Sequence, residues 1–530
     1  MSGRRIAIAV ALSLGVTWRV EAQDSLRAPT RKRTLAEDLQ LFSQVLNQLR
    51  VNHPDSLDSH ELLMSAIAAM VQAADPHSYV IPAARLDTAK MRLMREGSLY
   101  PVPVSFSFVS GAPLVVSVDA GSRAVSQDIL PGDELVAASG RPIAAESPDE
   151  LSLALSGPKG STVALTLRRR RFDGSVVRLE RQVRRERTDE ASAVPVATLL
   201  DAQTGYVRVT TFASDKVADD LHAALERLER AGMQRLLLDL RGNGGGLVKE
   251  AKQIAGEFLP RGAIVYTASG RKAEVTDTGR VQRSFWRSER RYPIVILVDE
   301  GTASASELVA GALQDHDRAL IIGRPTFGKS LLMQTLPLTD GSFIALVIGQ
   351  LRTPCGRLIQ RAYHGIARRD YYRDAGMLAD TATGPTCRTV GGRIVRGGGG
   401  IIPDVVLPER NGSPGWLDQL GERALILTWS GGYVDRAGTG LSTLDALAAA
   451  KALAPSALAD FRSYAKGQGI DIPADPSADA TLERALLRMV AFAKFGDAGY
   501  YRLSALTDPT ITRAIEAFGQ ASSILEPRKP

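Results

Sequence analysis

A serine placed where an apolar strand gives way to a helix, and a lysine 25 positions later, are the residues of this chain best suited to breaking a covalent bond. Val298-Asp-Glu-Gly-Thr-Ala-Ser304-Ala-Ser306-Glu follows the apolar run Ile294–Val298. Small residues around Ser304 allow a tight turn that projects its hydroxyl. The amide of Ala305, at the helix start, carries the positive end of the helix dipole, which is what an oxyanion requires. The same pattern also suits simple capping of the helix by Ser304 or Ser306. A nucleophilic serine needs a base, and the six histidines (53, 60, 77, 222, 316 and 364) sit in no triad motif. No Gly-x-Ser-x-Gly elbow is present either. Lysine serves if burial lowers its pKa. Lys329 lies between Thr326-Phe-Gly328 and Leu331-Leu-Met333, an apolar setting, although a solvated surface lysine could carry the same flanks. Action near neutral pH requires a fall of about 3 units, roughly 4 kcal/mol against the charged form. A third segment, Leu236-Leu-Leu-Asp239-Leu-Arg241-Gly-Asn243-Gly-Gly-Gly246, runs from an apolar strand into a glycine-rich loop. Such a loop either presents amides to an anion or makes a turn needing positive φ.

Gly323-Arg-Pro-Thr-Phe-Gly328-Lys329-Ser330 also fits the P-loop pattern, with Ala319-Leu-Ile-Ile322 before it and the acidic strand end Asp299-Glu300 upstream. That would make a nucleotide-binding protein. A P-loop must open a long helix. Here only six residues separate Ser330 from Pro337, and Thr339-Asp-Gly341 then reads as a hairpin turn.

The elements around these segments predict a multidomain α/β protein. Leu35, Leu39, Phe42, Leu46 and Leu49 recur at helical spacing, so 33–97 reads as a small helical N-terminal domain. Short β-rich runs over 98–187, including Val102–Val109, Leu114–Val118 and Val176–Val183, predict a small β-module. From 190 to 410 strands and helices alternate, which predicts a layered α/β core. The region 411–530 reads as mostly helical, with segments at 444–453, 456–468 and 481–493.

At this point the residues resemble a known family. Gly301-Thr-Ala-Ser304-Ala-Ser-Glu307 through Asp315, Thr326-Phe-Gly-Lys329, Asp239-Leu-Arg-Gly-Asn-Gly-Gly-Gly246, Thr353-Pro-Cys-Gly-Arg-Leu-Ile-Gln360 and Gly400-Ile-Ile-Pro-Asp404 are similar to motifs of the C-terminal processing, or tail-specific, serine peptidases. The resemblance spans about residues 35 to 410. It implies a peptidase core over 190–410, Ser304 as nucleophile and Lys329 as base of a serine–lysine dyad, and oxyanion donors at Ala305 and Gly245. It also implies that the 98–187 module is similar to a PDZ domain, with a polypeptide groove near Leu99, Val102 and Val104. Two departures stand out. The stretch Gly97-Ser-Leu-Tyr-Pro-Val-Pro103 has prolines where the family has carboxylate-binding glycines, and prolines remove amide donors. The family's glutamine four positions after the lysine is here Gln334, at the fifth, which a regular strand would turn to the opposite face unless a bulge restored it. An insert covers 361–399 and carries no assigned role.

The resulting expectation is a serine endopeptidase acting on extended or unfolded polypeptides, gated by its PDZ module through a ligand or adaptor. It requires no metal and no cofactor. The alternatives are an inactive PDZ-bearing binding scaffold on a peptidase fold and, remotely, the P-loop NTPase. The chain has 530 residues and a net charge of +7, a mild bias. Its arginine runs, Arg168–Arg171 among them, read as solvated strand ends. No zinc-finger spacing or aromatic–basic stripe supports nucleic-acid binding. Arg4 and Arg5 before the apolar run Ile6–Val16, then Val20-Glu-Ala22, read as a secretory signal over 1–22, predicting an exported, periplasmic or extracellular protein without a stable membrane span. In that setting Cys355 and Cys387 could form a disulfide.

Overall fold

The computed structural model describes residues 33–525, except 82–87, 97, 110–111, 119–121, 144, 146–147, 171–174, 187–191, 284–287, 340–341, 367–370, 372–383, 409–413 and 438–442. The expected signal segment, 1–22, lies outside the described residues, as does part of the insert. The chain divides into two units at Met70/Val71. In the first, α1 (Leu35–Asn52) starts at a capping box in which Thr34 and Glu37 exchange hydrogen bonds. None of its residues is buried. α2 (Ser59–Ala74) follows after a short break.

The second unit takes in the last residues of α2, then β1 (Tyr79–Ile81) and α3 (Thr88–Arg95), and continues into the β-module. Its strands are β2 (Leu99–Tyr100), β3 (Val104–Val109), β4 (Ala112–Val118), β5 (Glu134–Ala138) and β6 (Arg141–Pro142), then, after α4 (Pro148–Leu155), β7 (Gly157–Pro158), β8 (Thr162–Arg170) and β9 (Val176–Arg184). The main sheet runs β3-β4-β5-β8-β9, and β2 pairs with β7. Inward residues of alternating strands, Val115, Leu135, Leu165 and Val183, form its core with Leu151 of α4. The arginine run is not simply a solvated strand end. Arg169 is 7% exposed and grips Asp133 through Nε at 2.8 Å and Nη2 at 2.9 Å, with Asp128 on Nη1 at 3.0 Å.

The central layer is a six-stranded sheet in the order β10 (Val196–Leu199), β11 (Thr204–Arg208), β12 (Arg235–Asp239), β15 (Ile294–Val298), β16 (Leu320–Gly323), β21 (Val405–Val406). All pairs but β10–β11 are parallel. Between them run α5 (Val217–Arg230), α6 (Val248–Gly256) and α7 (Ala305–Asp315). A second sheet, β1-β18-β13-β14 with β17 on β18, is built from β13 (Ile264–Gly270), β14 (Asp277–Arg280), β17 (Leu331–Pro337) and β18 (Phe343–Arg352). β19 (Thr386–Arg388) and β20 (Ile394–Arg396) form a hairpin in the insert. Cys387 on β19 is disulfide-bonded to Cys355, with Cα atoms 6.3 Å apart. Ser330 leads into strand β17 and not into a helix, so the segment after Lys329 cannot hold phosphate as a P-loop does.

The C-terminal region carries more helices than periodicity predicts: α8 (Gly415–Glu422), α9 (Leu425–Ala437), α10 (Leu444–Ala450), α11 (Ala457–Gly467), α12 (Pro476–Thr507, broken at Gly496), α13 (Pro509–Glu516) and α14 (Phe518–Leu525). Its last helices form a layer of the core, and the others cluster among themselves. Parallel strands are buried on both faces. Leu236, Leu238, Ile294 and Ile296 point to the α5–α7 side, whereas Leu237, Val295 and Leu297 pack against Ile511, Ala514, Phe518 and Ala521. The region also touches the β-module. A Cβ on Gly431 of α9 would lie 2.2 Å from the Pro131 carbonyl oxygen, and one on Gly132 would lie 2.6 Å from Thr428 Cα.

Candidate active site

Ser304 sits at the switch from β15 to α7 with φ 57° and ψ −116°. That backbone region is sparsely populated for a residue with a Cβ and costs about 1–3 kcal/mol, strain that the surroundings must hold in place. The restraints are visible on both sides. Thr302 Oγ1 donates to the Leu240 carbonyl at 3.0 Å, and Asp299 Oδ1 accepts Gly242 N–H at 2.7 Å, tying the turn to the glycine loop. On the far side every residue of α7 is buried. The two serines of the turn separate clearly. Ser306 is buried and its Oγ donates to the Asn243 carbonyl at 2.9 Å, whereas Ser304 is half-buried.

The glycine loop lies directly against this turn. Asn243 is fully buried, donates through Nδ2 to the Val209 carbonyl at 3.0 Å and accepts Ala303 N–H on its own carbonyl at 3.0 Å. Gly245 has φ 95°, and a Cβ there would fall 2.7 Å from Ala303 O and 2.8 Å from both Ala305 N and Ser304 Cβ. Only glycine fits. The N–H of Gly245 donates to Asn243 Oδ1 at 3.0 Å.

One carboxylate joins the serine turn to the lysine loop. Glu307, fully buried on the first turn of α7, accepts Ser304 N–H and Lys329 N–H on the same oxygen, Oε2, at 2.8 Å each. Its Oε1 accepts Gly328 N–H at 2.8 Å and the Thr326 hydroxyl. The nitrogens of Ser304 and Lys329 therefore lie no more than 5.6 Å apart, twice that shared distance. Burial pushes the Glu307 carboxyl up to about 7, against the pull of these four donors. Burial likewise lowers the Lys329 ammonium, and the charges of Glu307 and Asp75 partly restore it.

Comparison with known proteins follows the same residues. The profile of peptidase family S41 matches residues 203–368. A carboxyl-terminal-processing protease of Synechocystis is 36% identical over 44% of this chain, and the match spans 53% of that protein's length. A carboxy-terminal-processing protease of Bartonella bacilliformis is 30% identical over 61% of this chain and 73% of its own. The chain belongs to peptidase family S41. It is accordingly a serine-type peptidase. Among solved structures, the photosystem II D1 C-terminal processing protease aligns with 73% of this S41 chain and 90% of its own at 23% identity, with a TM-score of only 0.35.

Other residues expected in the S41 site fall less simply. Gln334 is exposed on β17. A bulge does interrupt β17–β18, but Leu332 pairs with Gly349 and Met333 with Val347, so the extra residue is Ile348 of β18. No residue is added within β17, so Gln334 keeps its odd spacing from Lys329 along the strand. Val102 and Val104 are each 6% exposed and belong to the β-module's core, while Leu99 is half-buried beside β7.

A buried polar chain behind Lys329 escaped sequence reasoning. Ser330 N–H donates to Gln360 Oε1 at 3.0 Å, and Gln360 Nε2 donates to Tyr371 Oη at 3.0 Å. Tyr371 Oη also lies 3.2 Å from His77 Nε2, and the Arg361 guanidinium sits 4.2 Å from the Tyr371 ring centre. The insert thus supplies a side chain to the wall of the lysine loop. Gln360 closes a motif quoted for the family resemblance, but nothing local in sequence pairs it with Tyr371 or His77.

Among the described residues, no helix is long and apolar enough to cross a membrane.

Proposed function

We propose that this chain is an endopeptidase cleaving extended or unfolded polypeptide, with Ser304 as nucleophile and Lys329 as general base. The observation that carries this is the single Glu307 oxygen that holds the backbones of both residues. Support also comes from the strained Ser304 backbone and from the burial that lowers Lys329. Neutral Lys329 takes the Ser304 proton as Oγ attacks the scissile carbonyl. The tetrahedral oxyanion is held by the Ala305 N–H at the helix start and by the Gly245 amide, which must turn away from Asn243 Oδ1 to reach it. Protonated Lys329 then gives its proton to the leaving amine. A water activated by the same lysine releases the acyl group from Ser304 Oγ. No metal or cofactor takes part in these steps.

The β-module is proposed to act as a PDZ-like gate that binds substrate or an adaptor. Its contact with α9 provides a route to the core. Export through the N-terminal segment accords with the disulfide. The test is incubation of the chain from Gln23 onward with an unstructured polypeptide, with fragments read by mass spectrometry. Cutting by wild type and inertness of both Ser304→Ala and Lys329→Ala are expected. Continued cutting by Ser304→Ala would assign the chemistry to another nucleophile. Removal of 98–187 with no change in rate or substrate range would end the gating proposal.

A further inference from the structure

The family match ends at residue 368, yet a side chain far beyond it reaches the loop behind Ser304. Arg241 opens that loop. Its guanidinium donates through Nε to Asp239 Oδ1 at 2.9 Å, through Nη2 to Asp239 Oδ2 at 2.7 Å, and through Nη1 to Asp508 Oδ2 at 2.7 Å. Asp239 is fully buried and also holds Arg208 Nη1 at 2.6 Å. Two arginines thus converge on one buried carboxylate, and Asp508 supplies the second negative charge. Asp508 stands at the junction of α12 and α13, 267 positions away in sequence. Its other oxygen accepts Thr510 N–H at 2.9 Å as the cap of α13, which fixes the direction of the carboxylate. Ile511, Ala514 and Phe518 seat this corner on the sheet. Burial acts to raise the Asp508 carboxyl, but the Arg241 charge and the bonds from Arg241 and Thr510 hold it below the ordinary range, so it is an anion at neutral pH. Past Arg241 the loop passes Gly242 and Asn243, whose carbonyl holds Ala303 and Ser306, and reaches Gly245 against Ser304.

We infer that Asp508 is a positioning residue for peptide-bond cleavage: through Arg241 it fixes the glycine loop that backs Ser304, which makes the C-terminal region part of the catalytic apparatus. This rests on Ser304 being the nucleophile. Asp508 touches no reacting atom. Its charge-assisted bond to Arg241 sets where the loop starts, and the loop carries the Gly245 oxyanion donor.

Asp508→Ser separates the two roles of this carboxylate, because serine still caps α13 but cannot pair with Arg241. Full-length wild type, Asp508→Ser, Asp508→Asn and Asp475→Ser would be compared on an unstructured polypeptide, with Ser304→Ala as blank. Asp475 caps α12 through Ser477 and Ala478 and serves as the control for a lost carboxylate cap. Asp508→Ser is expected to lose about tenfold in kcat with KM within about twofold, an effect confined to the chemical step. Asp508→Asn, which keeps a neutral acceptor, should fall between, and Asp475→Ser should match wild type. Labelling of Ser304 by a fluorophosphonate should slow in the same order. Wild-type kcat in Asp508→Ser, or in Asp508→Asn should the serine variant fail to fold, overturns the inference. A loss shared equally by Asp475→Ser also overturns it, as a general stability effect. Cutting by the Ser304→Ala blank instead overturns the proposed nucleophile, whatever the Asp508 variants do.

Discussion

Replacing Glu307 with glutamine should slow the enzyme and at the same time move its pH profile in a direction that damage alone would not produce. Glu307 presents two acceptor oxygens to three backbone N–H groups and one hydroxyl. A glutamine keeps one acceptor and turns the other into a donor. If its amide nitrogen faced Ser304 and Lys329, two donors would meet it. The better arrangement puts it toward Thr326 and Gly328, where the hydroxyl can rotate but Gly328 N–H loses its acceptor. One buried N–H left unpaired costs about 1–3 kcal/mol. Borne wholly by the transition state, that is about 5- to 150-fold in kcat. The electrostatic effect has the opposite character. The Glu307 charge raises the Lys329 pKa, so its removal lets Lys329 lose its proton at lower pH. The acid limb of kcat/KM, which follows neutral lysine, should therefore shift to lower pH while the plateau falls. Steady-state rates of wild type and Glu307→Gln measured across the pH range decide this. An acid limb that stays in place or moves upward refutes the reasoning, as does a plateau equal to wild type. A thermodynamic check accompanies it. The folded Glu307 carboxyl, at about 7, lies above its ordinary 4.5, so its contribution to stability is present below 4.5 and lost as pH rises through 7. That is about 3 kcal/mol over the window, and Glu307→Gln should lack it. The variant's melting temperature should climb relative to wild type between those values.

Gly245→Ala should abolish detectable cleavage while the chain stays folded, because the new methyl would meet Ala303 O, Ala305 N and Ser304 Cβ at 2.7 to 2.8 Å with φ at 95°; product formation and circular dichroism report the two halves. Tyr371→Phe removes the hydroxyl that Gln360 and His77 share and keeps the ring under Arg361, so kcat should fall roughly fivefold to tenfold with a melting temperature lower by a few degrees. Reduction of Cys355–Cys387, which closes a 32-residue separation, should destabilise the chain by roughly 3–4 kcal/mol, read as a drop in denaturant midpoint against the oxidised protein.

What was legible in the sequence was local. The small residues around Ser304, the strand before it, and the 25-position spacing to Lys329 all lie within one short stretch, and α7 starts at Ala305, where the sequence placed a helix start. The sharp turn to strand after Ser330 could also be read from Pro337 and Gly341, and it removed the P-loop reading. The bond partners were not legible. Glu307 reads locally as a capping-box acid, and only the fold shows that its second duty is to Lys329, 22 residues on. Tyr371 and His77 lie 294 positions apart, beyond the reach of any pattern. Helical segments after 411 say that some face is covered but not by what: α8, α9, α11 and α12 cover one another, and α13 and α14, which no segment named in the sequence included, cover the six-stranded sheet. Gln334 could not be placed because register depends on the partner strand, and the extra residue is in β18.

Because α13 and α14 cover one face of the catalytic sheet, the order of synthesis matters for this peptidase. The strands from 196 to 323 emerge from the ribosome long before the residues from 505 to 521 that cover Leu237, Val295 and Leu297. Until those arrive, the sheet has one bare apolar face, and contacts of such long sequence separation form late. A nascent or prematurely truncated chain would carry Ser304, Lys329 and Glu307 and still have an incomplete core.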